Sequence, residues 1–270
     1  MLTLISPAKS LDLESPLPTR KYTLPRLLDE AELLIEVMRT KAPEDLAELM
    51  RISSELAQIN AERYARISTP FTPDNSRPAI FTFAGDVYRG LNAAQRFDAR
   101  DHTEAQKTLR ILSGLYGLLR PLDLMQPYRL EMGTSLATER GHNLYRWWGD
   151  QITDLVIEDL AASPGPDVVI NLASAEYLTA VDLDGLDARV VAPRFEDRNS
   201  RGQWKVISFS AKVARGLMAG WIVQNRVRSV RALEDFDEGG YQFVPEVSRP
   251  DMPVFRRVGA RGASGKNRHG

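Results

Sequence analysis

Leucines, isoleucines and methionines recur at three- and four-residue spacing, with charges between them, through LPRLLDEAELLIEVMRT (24–40) and PEDLAELMRISSELAQINAERYARI (43–67). That is the period of amphipathic helices, and Pro43 sits where a first helical turn tolerates it. Leu2 to Ile5 is a short apolar run ending at Ser6-Pro7; it reads as a buried strand, followed by a proline-punctuated loop to about Pro25. AIFTF (79–83) reads as a strand ending in Gly85-Asp86, and a helix is predicted over 103–112. NLYRWWGDQITDLVIEDLAA (143–162) reads as one long amphipathic helix stopped by Pro164-Gly165-Pro166, and DVVINLA (167–173) as a fully apolar strand. ARVVAPRF and QWKVISFSA read as a β-hairpin around Asn199 to Gly202, and SAKVARGLMAGWIVQNRV as a helix with Ser210 as its N-cap. Strands and helices alternate through the middle, so the fold class expected is mixed α/β, one domain over residues 1–257 with a mixed sheet flanked by helices. The glycine-rich remainder, 258–270, carries Arg261, Lys266 and Arg268 with no acid and is expected to be a disordered basic tail.

Composition narrows the function classes. The 270 residues are 43% hydrophobic and 26% charged, with a formal net charge of -1, so a polyanion-binding site must be a local patch. There is no cysteine, which excludes disulfides, thiolate metal sites and thiol nucleophiles, and with them any thiol sensor of oxidants. The opening MLTLISPAKS lacks a basic region followed by a long apolar core, and no later run reaches spanning length; a cytoplasmic chain with no membrane partner is expected. His102, His142 and His269 show none of the short metal-ligand spacings, so neither a histidine metal site nor a cofactor is assigned. A carboxylate iron site stays open.

Three constellations can carry chemistry. ILSGLYGLLRPLDLMQPYRLEMG (111–133) is apolar yet broken by glycines and prolines, which fits a helix, a tight turn at Ser113 to Gly117 and a second helix. Glycines in such a turn leave backbone N–H groups uncovered, and Lys107, Arg110, Arg120 and Arg129 bracket it, the layout of a phosphate-gripping helix-hairpin-helix. A buried corner whose glycines permit close packing fits the same pattern. The second is SFSAKVARG (208–216), where Lys212 and Arg215 lie near a helix start. Cations are disfavoured at that end of a helix, which points to an anionic partner; side chains bent into water are the alternative. The third is a set of strand ends, where ligands collect in sheets covered by helices. Ser6 and Lys9, Gly85 and Asp86, and Asn171, Ser174 and Glu176 can line one pocket there, with Lys9, Asp86 and Glu176 as candidate catalytic groups. Ser174 as a helix cap and Gly85-Asp86 as a turn explain those residues equally well.

LISPAKSLD, FTFAGDVYRGL, LRILSGLYGLLRPLDLMQPYRLEMG, NLASAEY and WKVISFSAKVARGLM, in that order, resemble the successive blocks of the YaaA family of bacterial peroxide-stress proteins. The similarity runs to about Val258. It implies a cytoplasmic protein of the hydrogen peroxide response, associated with lower free intracellular iron and with protection of DNA. It also implies a compact α/β fold with a helix-hairpin-helix and a positively charged cleft that takes duplex or branched DNA. The hairpin falls on Ser113 to Gly117, with Gly114 and Gly117 its glycines, flanked by Arg110 and Arg120. By their charge, Lys9, Arg129, Lys212 and Arg215 are the expected cleft residues. DNA binding with little sequence preference is therefore the leading expectation, and an enzyme acting on a nucleotide or related small anion through Lys9, Asn171 and Glu176 the rival. Catalytic turnover is left undecided between them.

Overall fold

The computed structural model describes residues 1–257, and the tail expected to be basic and disordered lies outside them. Its strands are β1 (Leu2–Ile5), β2 (Arg77–Pro78), β3 (Leu109–Ser113), β4 (Gly117–Leu119), β5 (Leu124–Met125), β6 (Val168–Leu172), β7 (Arg189–Val191), β8 (Arg194–Arg198), β9 (Trp204–Lys205), β10 (Gln242–Phe243) and β11 (Val254–Arg257). The α-helices are α1 (Leu28–Arg39), α2 (Pro43–Met50), α3 (Ser54–Arg66), α4 (Ala79–Thr82), α5 (Asp86–Leu91), α6 (Ala93–Arg96), α7 (Ala99–Thr108), α8 (Leu144–Trp148), α9 (Gln151–Ala162), α10 (Ala175–Leu178) and α11 (Ser208–Gln224).

The main sheet has the order β4-β3-β1-β6-β7. β1 pairs in parallel with β3 and β6, and β7 runs parallel to β6, while β4 turns back antiparallel on β3. The apolar runs LTLI and VVINL become the two central strands because both faces are covered, which takes a continuous run and not an alternating one. Helices α7 and α9 pack on β1, β3 and β4, whereas α11 lies against β1 and β6 and reaches the second sheet, β10-β11-β8-β9. One contiguous core runs from Met1 to Phe255, so the mixed α/β domain expected from the sequence is what forms.

Several elements differ from expectation. The segment read as helix-turn-helix is a β-hairpin: Ile111 pairs with Leu119, Leu112 with Leu118 and Ser113 with Gly117. The helix predicted over 103–112 ends at Thr108, since the next five residues are buried on both faces and take the sheet's hydrogen bonds. The hairpin turn needs its glycines for shape: Gly117 has φ +66°, and a Cβ on Gly114 would lie 2.2 Å from the Leu130 carbonyl oxygen. AIFTF is not a strand but one helical turn following Pro78, with the Thr82 hydroxyl donating to the Pro78 carbonyl at 2.8 Å. Gly149, at φ +47°, breaks 143–162 into α8 and α9. The 188–195 segment splits between sheets, β7 joining the first and β8 the second, and only β8 and β9 form the expected hairpin. Finally α11 starts at Ser208, with Ile207 and not Ser210 before it, so Lys212 and Arg215 lie beyond the first turn. Neither cation therefore opposes the partial positive charge of the helix start.

Candidate anion-binding cleft

The carboxyl ends of β1 and β6 open into a cleft, as the general rule for helix-covered parallel strands requires. Ser6, just past β1, and Ser174, just past β6, clasp each other there: the Ser174 N–H donates to Ser6 Oγ at 2.9 Å. At the end of β3, Ser113 Oγ meets the Tyr128 hydroxyl at 2.7 Å under the cleft floor. Burial pushes the Tyr128 and Tyr177 hydroxyls above the ordinary tyrosine value, so both stay neutral phenols.

The cleft is a cavity of about 470 Å³ whose lining includes the cations Lys9, Arg89, Arg129, Lys212 and Arg215 and the acids Asp86, Glu131 and Glu176. Five cations against three carboxylates leave the lining at +2. A shallower groove of about 810 Å³ adjoins it, sharing Lys9, Glu131 and Glu176. Within the cleft Glu131 accepts from both Lys9 and Arg129, each at 3.1 Å, and Asp86 faces Arg89 at 3.4 Å. Lys212 and Arg215 form no ion pair among the described residues. Arg215 is half-buried, and burial alone, with no opposing carboxylate, pulls its guanidinium below the ordinary value.

Helix α11 carries both cations into position because it packs on α5 with almost no gap. A Cβ on Gly216 would lie 1.8 Å from the Val87 carbonyl oxygen, and one on Gly90 2.0 Å from that of Val213. Backbone against backbone at this spacing admits only glycine. The same contact brings Arg89 of α5 over the Phe209 ring of α11, 5.6 Å from its centre.

The expected site residues thus separate into two groups. Lys9, Asp86, Arg129, Ser174, Glu176, Lys212 and Arg215 converge on the cleft. The hairpin set does not. Arg110 is buried against Asp159 at 2.5 Å, Ser113 and the Gly114–Gly117 turn are enclosed in the core, and Arg120 is held by Asp123 at 2.9 Å and by the Leu24 carbonyl. Lys107 is exposed but precedes β3, which runs parallel to β1, so it lies toward the amino ends of the strands and away from the cleft at their carboxyl ends. Contact of this turn with a phosphate backbone is overturned by its burial: the Gly114 carbonyl accepts from the Trp148 indole at 3.1 Å, and the Tyr116 N–H donates to Ser113 Oγ at 2.9 Å. Asn171, expected in the pocket, caps its own turn by accepting from the Ala173 N–H at 2.9 Å. Sequence reasoning missed Arg89, Tyr128, Glu131 and Tyr177. Glu131 was findable, since alternation in an extended segment sets it on the same side as Arg129. Among the described residues no three or more His, Asp or Glu side chains group as a metal site, and no helix is long and apolar enough to cross a membrane.

Comparison with known proteins gives one consistent result. A family model described as peroxide stress protein YaaA matches residues 1–247. A UPF0246 protein of Alteromonas mediterranea is 52% identical over 257 residues, 95% of this chain and 98% of that protein. UPF0246 proteins of Colwellia psychrerythraea and Tolumonas auensis are 51% and 52% identical over the same length.

Proposed function

The chain belongs to the family of the peroxide stress protein YaaA, and on that premise we propose that it serves the oxidative stress response by binding the phosphate backbone of DNA in the strand-end cleft. The observation that carries the reading is the pair Lys212 and Arg215, aimed into a lining of +2 with no carboxylate partner among the described residues. Several other arginines are matched, Arg96 by Glu238 at 2.6 Å, Arg140 by Glu30 at 2.6 Å and Arg189 by Asp251 at 2.7 Å, and what sets Lys212 and Arg215 apart from unmatched cations elsewhere is that they line one enclosed cleft together. A cation left unmatched and half-buried is stabilised when an anion arrives. Backbone contacts of this kind carry affinity without base identity, which suits a protein that protects DNA in general.

A second reading has its own support: the cleft is enclosed on several sides and, at about 470 Å³, has the size of a small-molecule site. In it a nucleotide or related anion is the ligand, and Asp86 and Glu176 are the groups placed to exchange protons with it. Lys9 serves there as a counter-ion, being engaged by Glu131.

Fluorescence anisotropy with labelled duplex, four-way-junction and single-stranded DNA across a salt titration tests the first reading. Wild-type binding is expected to weaken steeply with salt, and a Lys212→Ala/Arg215→Ala variant to flatten the logarithmic slope by roughly one to two, at about 0.9 per lost duplex contact. Folded protein that binds no DNA at low salt would leave the small-anion reading in possession of the cleft.

A further inference from the structure

Building on the reading of the cleft as a phosphate site, we propose that it seats one nucleotide through a phosphomonoester, with Arg215 and Lys212 as the anion seat, so that a strand is held by its phosphorylated end. A double helix can lay its backbone across the mouth of this cavity and cannot enter it. Its major groove alone is about 12 Å wide and 8.5 Å deep, and a cavity of about 470 Å³ takes a small ligand and not a duplex cross-section.

The charge balance selects the kind of phosphate. Lys9 and Arg129 share the one charge of Glu131, the +1 left over is offset by Glu176 in the same lining, and Arg89 faces Asp86, so the net +2 equals the charges of Lys212 and Arg215, which have no ion pair among the described residues. A phosphomonoester carries about −1.5 to −2 near neutral pH, which matches the +2 of the lining, whereas a diester within a strand brings a single negative charge and satisfies half of it. Arginine's fork adds geometry to charge, because two parallel N–H donors match two oxygens of one phosphate.

The remaining lining fits the rest of a nucleotide. Tyr128 and Tyr177 line its floor and are only 5% and 8% exposed, so they give a nucleoside an apolar floor to rest on and no open ring face. At the rim Glu176 is held by the Gly133 N–H at 3.0 Å and presents an acceptor-only carboxylate, suited to a sugar hydroxyl or an exocyclic amine. Anion seat, apolar floor and acceptor in a cavity of this size fit a nucleoside monophosphate, whether as a free molecule or as the terminal residue of a strand.

The test uses the full chain and one internally labelled oligonucleotide, made with and without a terminal phosphate, with a free mononucleotide and its nucleoside as competitors. The phosphorylated strand is expected to bind at least about tenfold more tightly than its hydroxyl twin, as loss of charge-assisted bonds implies. The mononucleotide should displace it and the nucleoside should not. Arg215→Gln and Lys212→Gln should each bring the ratio between the two strands toward one. Lys212 is exposed, so its variant keeps the test decisive if Arg215→Gln fails to fold. Mononucleotide that binds while neither strand does identifies the free molecule as the ligand of the same seat. Equal binding of both strands with a steep salt slope overturns this proposal and leaves the backbone reading standing, as does a ratio that survives Lys212→Gln. No binding of strand or mononucleotide at low salt overturns both.

Discussion

Asp159 shows how little of an arginine's role is visible in its letter. Its carboxylate sits between two guanidinium groups, 2.5 Å from Arg110 Nε and 2.6 Å from Arg26 Nη2. Burial by itself would raise the Asp159 pKa, but the bonds from Arg110 and Arg26 outweigh it and hold the carboxyl below the usual range. An acid whose folded value is depressed contributes stability that is complete above its unfolded value, about 3.9, and is lost as pH falls through the folded value. Asp159→Asn is expected to cost about 3–5 kcal/mol at neutral pH, because it leaves Arg110 buried and unpaired. It should also flatten the acid limb of the stability profile, since the titrating group is gone. Urea unfolding of both proteins from pH 7 down to the acid transition measures this; parallel profiles would show that the triad adds no pH-linked stability. The same burial explains why Arg110 does not meet a phosphate although it flanks a glycine-rich turn. Nothing in LRILSG distinguishes an arginine that faces solvent from one whose partner lies about fifty positions later in the chain.

At the scale of elements, what the sequence revealed depended on whether one face of an element meets water. Helices α1 and α3 bury one face and expose the other, so their period was readable, and β1 and β6 were readable because short apolar runs bounded by turn residues have few alternatives. The hairpin of β3 and β4 is buried on every side, and periodicity is silent where both faces are apolar. Its glycines were correctly marked as special, and of the two explanations the pattern admitted the close-packed buried corner holds: they admit the chain between Leu130, Leu27 and Trp148 and expose no amides to phosphate. The cleft was legible to the extent that its residues follow strands, as Ser6, Lys9, Ser174 and Glu176 do. Arg89 was not, because it enters through the contact of α5 with α11. That contact gives an element-scale prediction. Gly216→Ala forces a Cβ to within 1.8 Å of the Val87 carbonyl oxygen, so the helices must part, at a cost of about 1–3 kcal/mol or more. Lys212 and Arg215 ride on α11, and Asp86 and Arg89 on α5. The variant should therefore melt earlier and, at temperatures where it stays folded, also bind DNA more weakly. Lowered stability with unchanged affinity would show that the cleft does not depend on the α5–α11 spacing.

Over the whole molecule, the charges are arranged so that attraction to a polyanion is local. The chain carries −1 in total and its last thirteen residues carry +3, so residues 1–257 stand at −4. With +2 on the cleft lining, the rest of that body is at −6. The remainder of the body is therefore repelled by a polyanion on average, and the cleft is where its attraction is concentrated. The tail adds a separate contribution, because its Arg261, Lys266 and Arg268 have no neighbouring acid in sequence. Deleting residues 258–270 should therefore slow association most at low salt, and progressively less once the screening length falls to about 8–10 Å near physiological ionic strength. The slope change caused by Lys212→Ala/Arg215→Ala should be the same with and without the tail, since the two contributions share no residue. Stopped-flow association rates and equilibrium anisotropy on the four proteins separate these terms. If the truncated chain binds nothing while the full chain does, the tail and not the cleft holds the DNA. If the slope change persists after truncation, the attraction resides in α11.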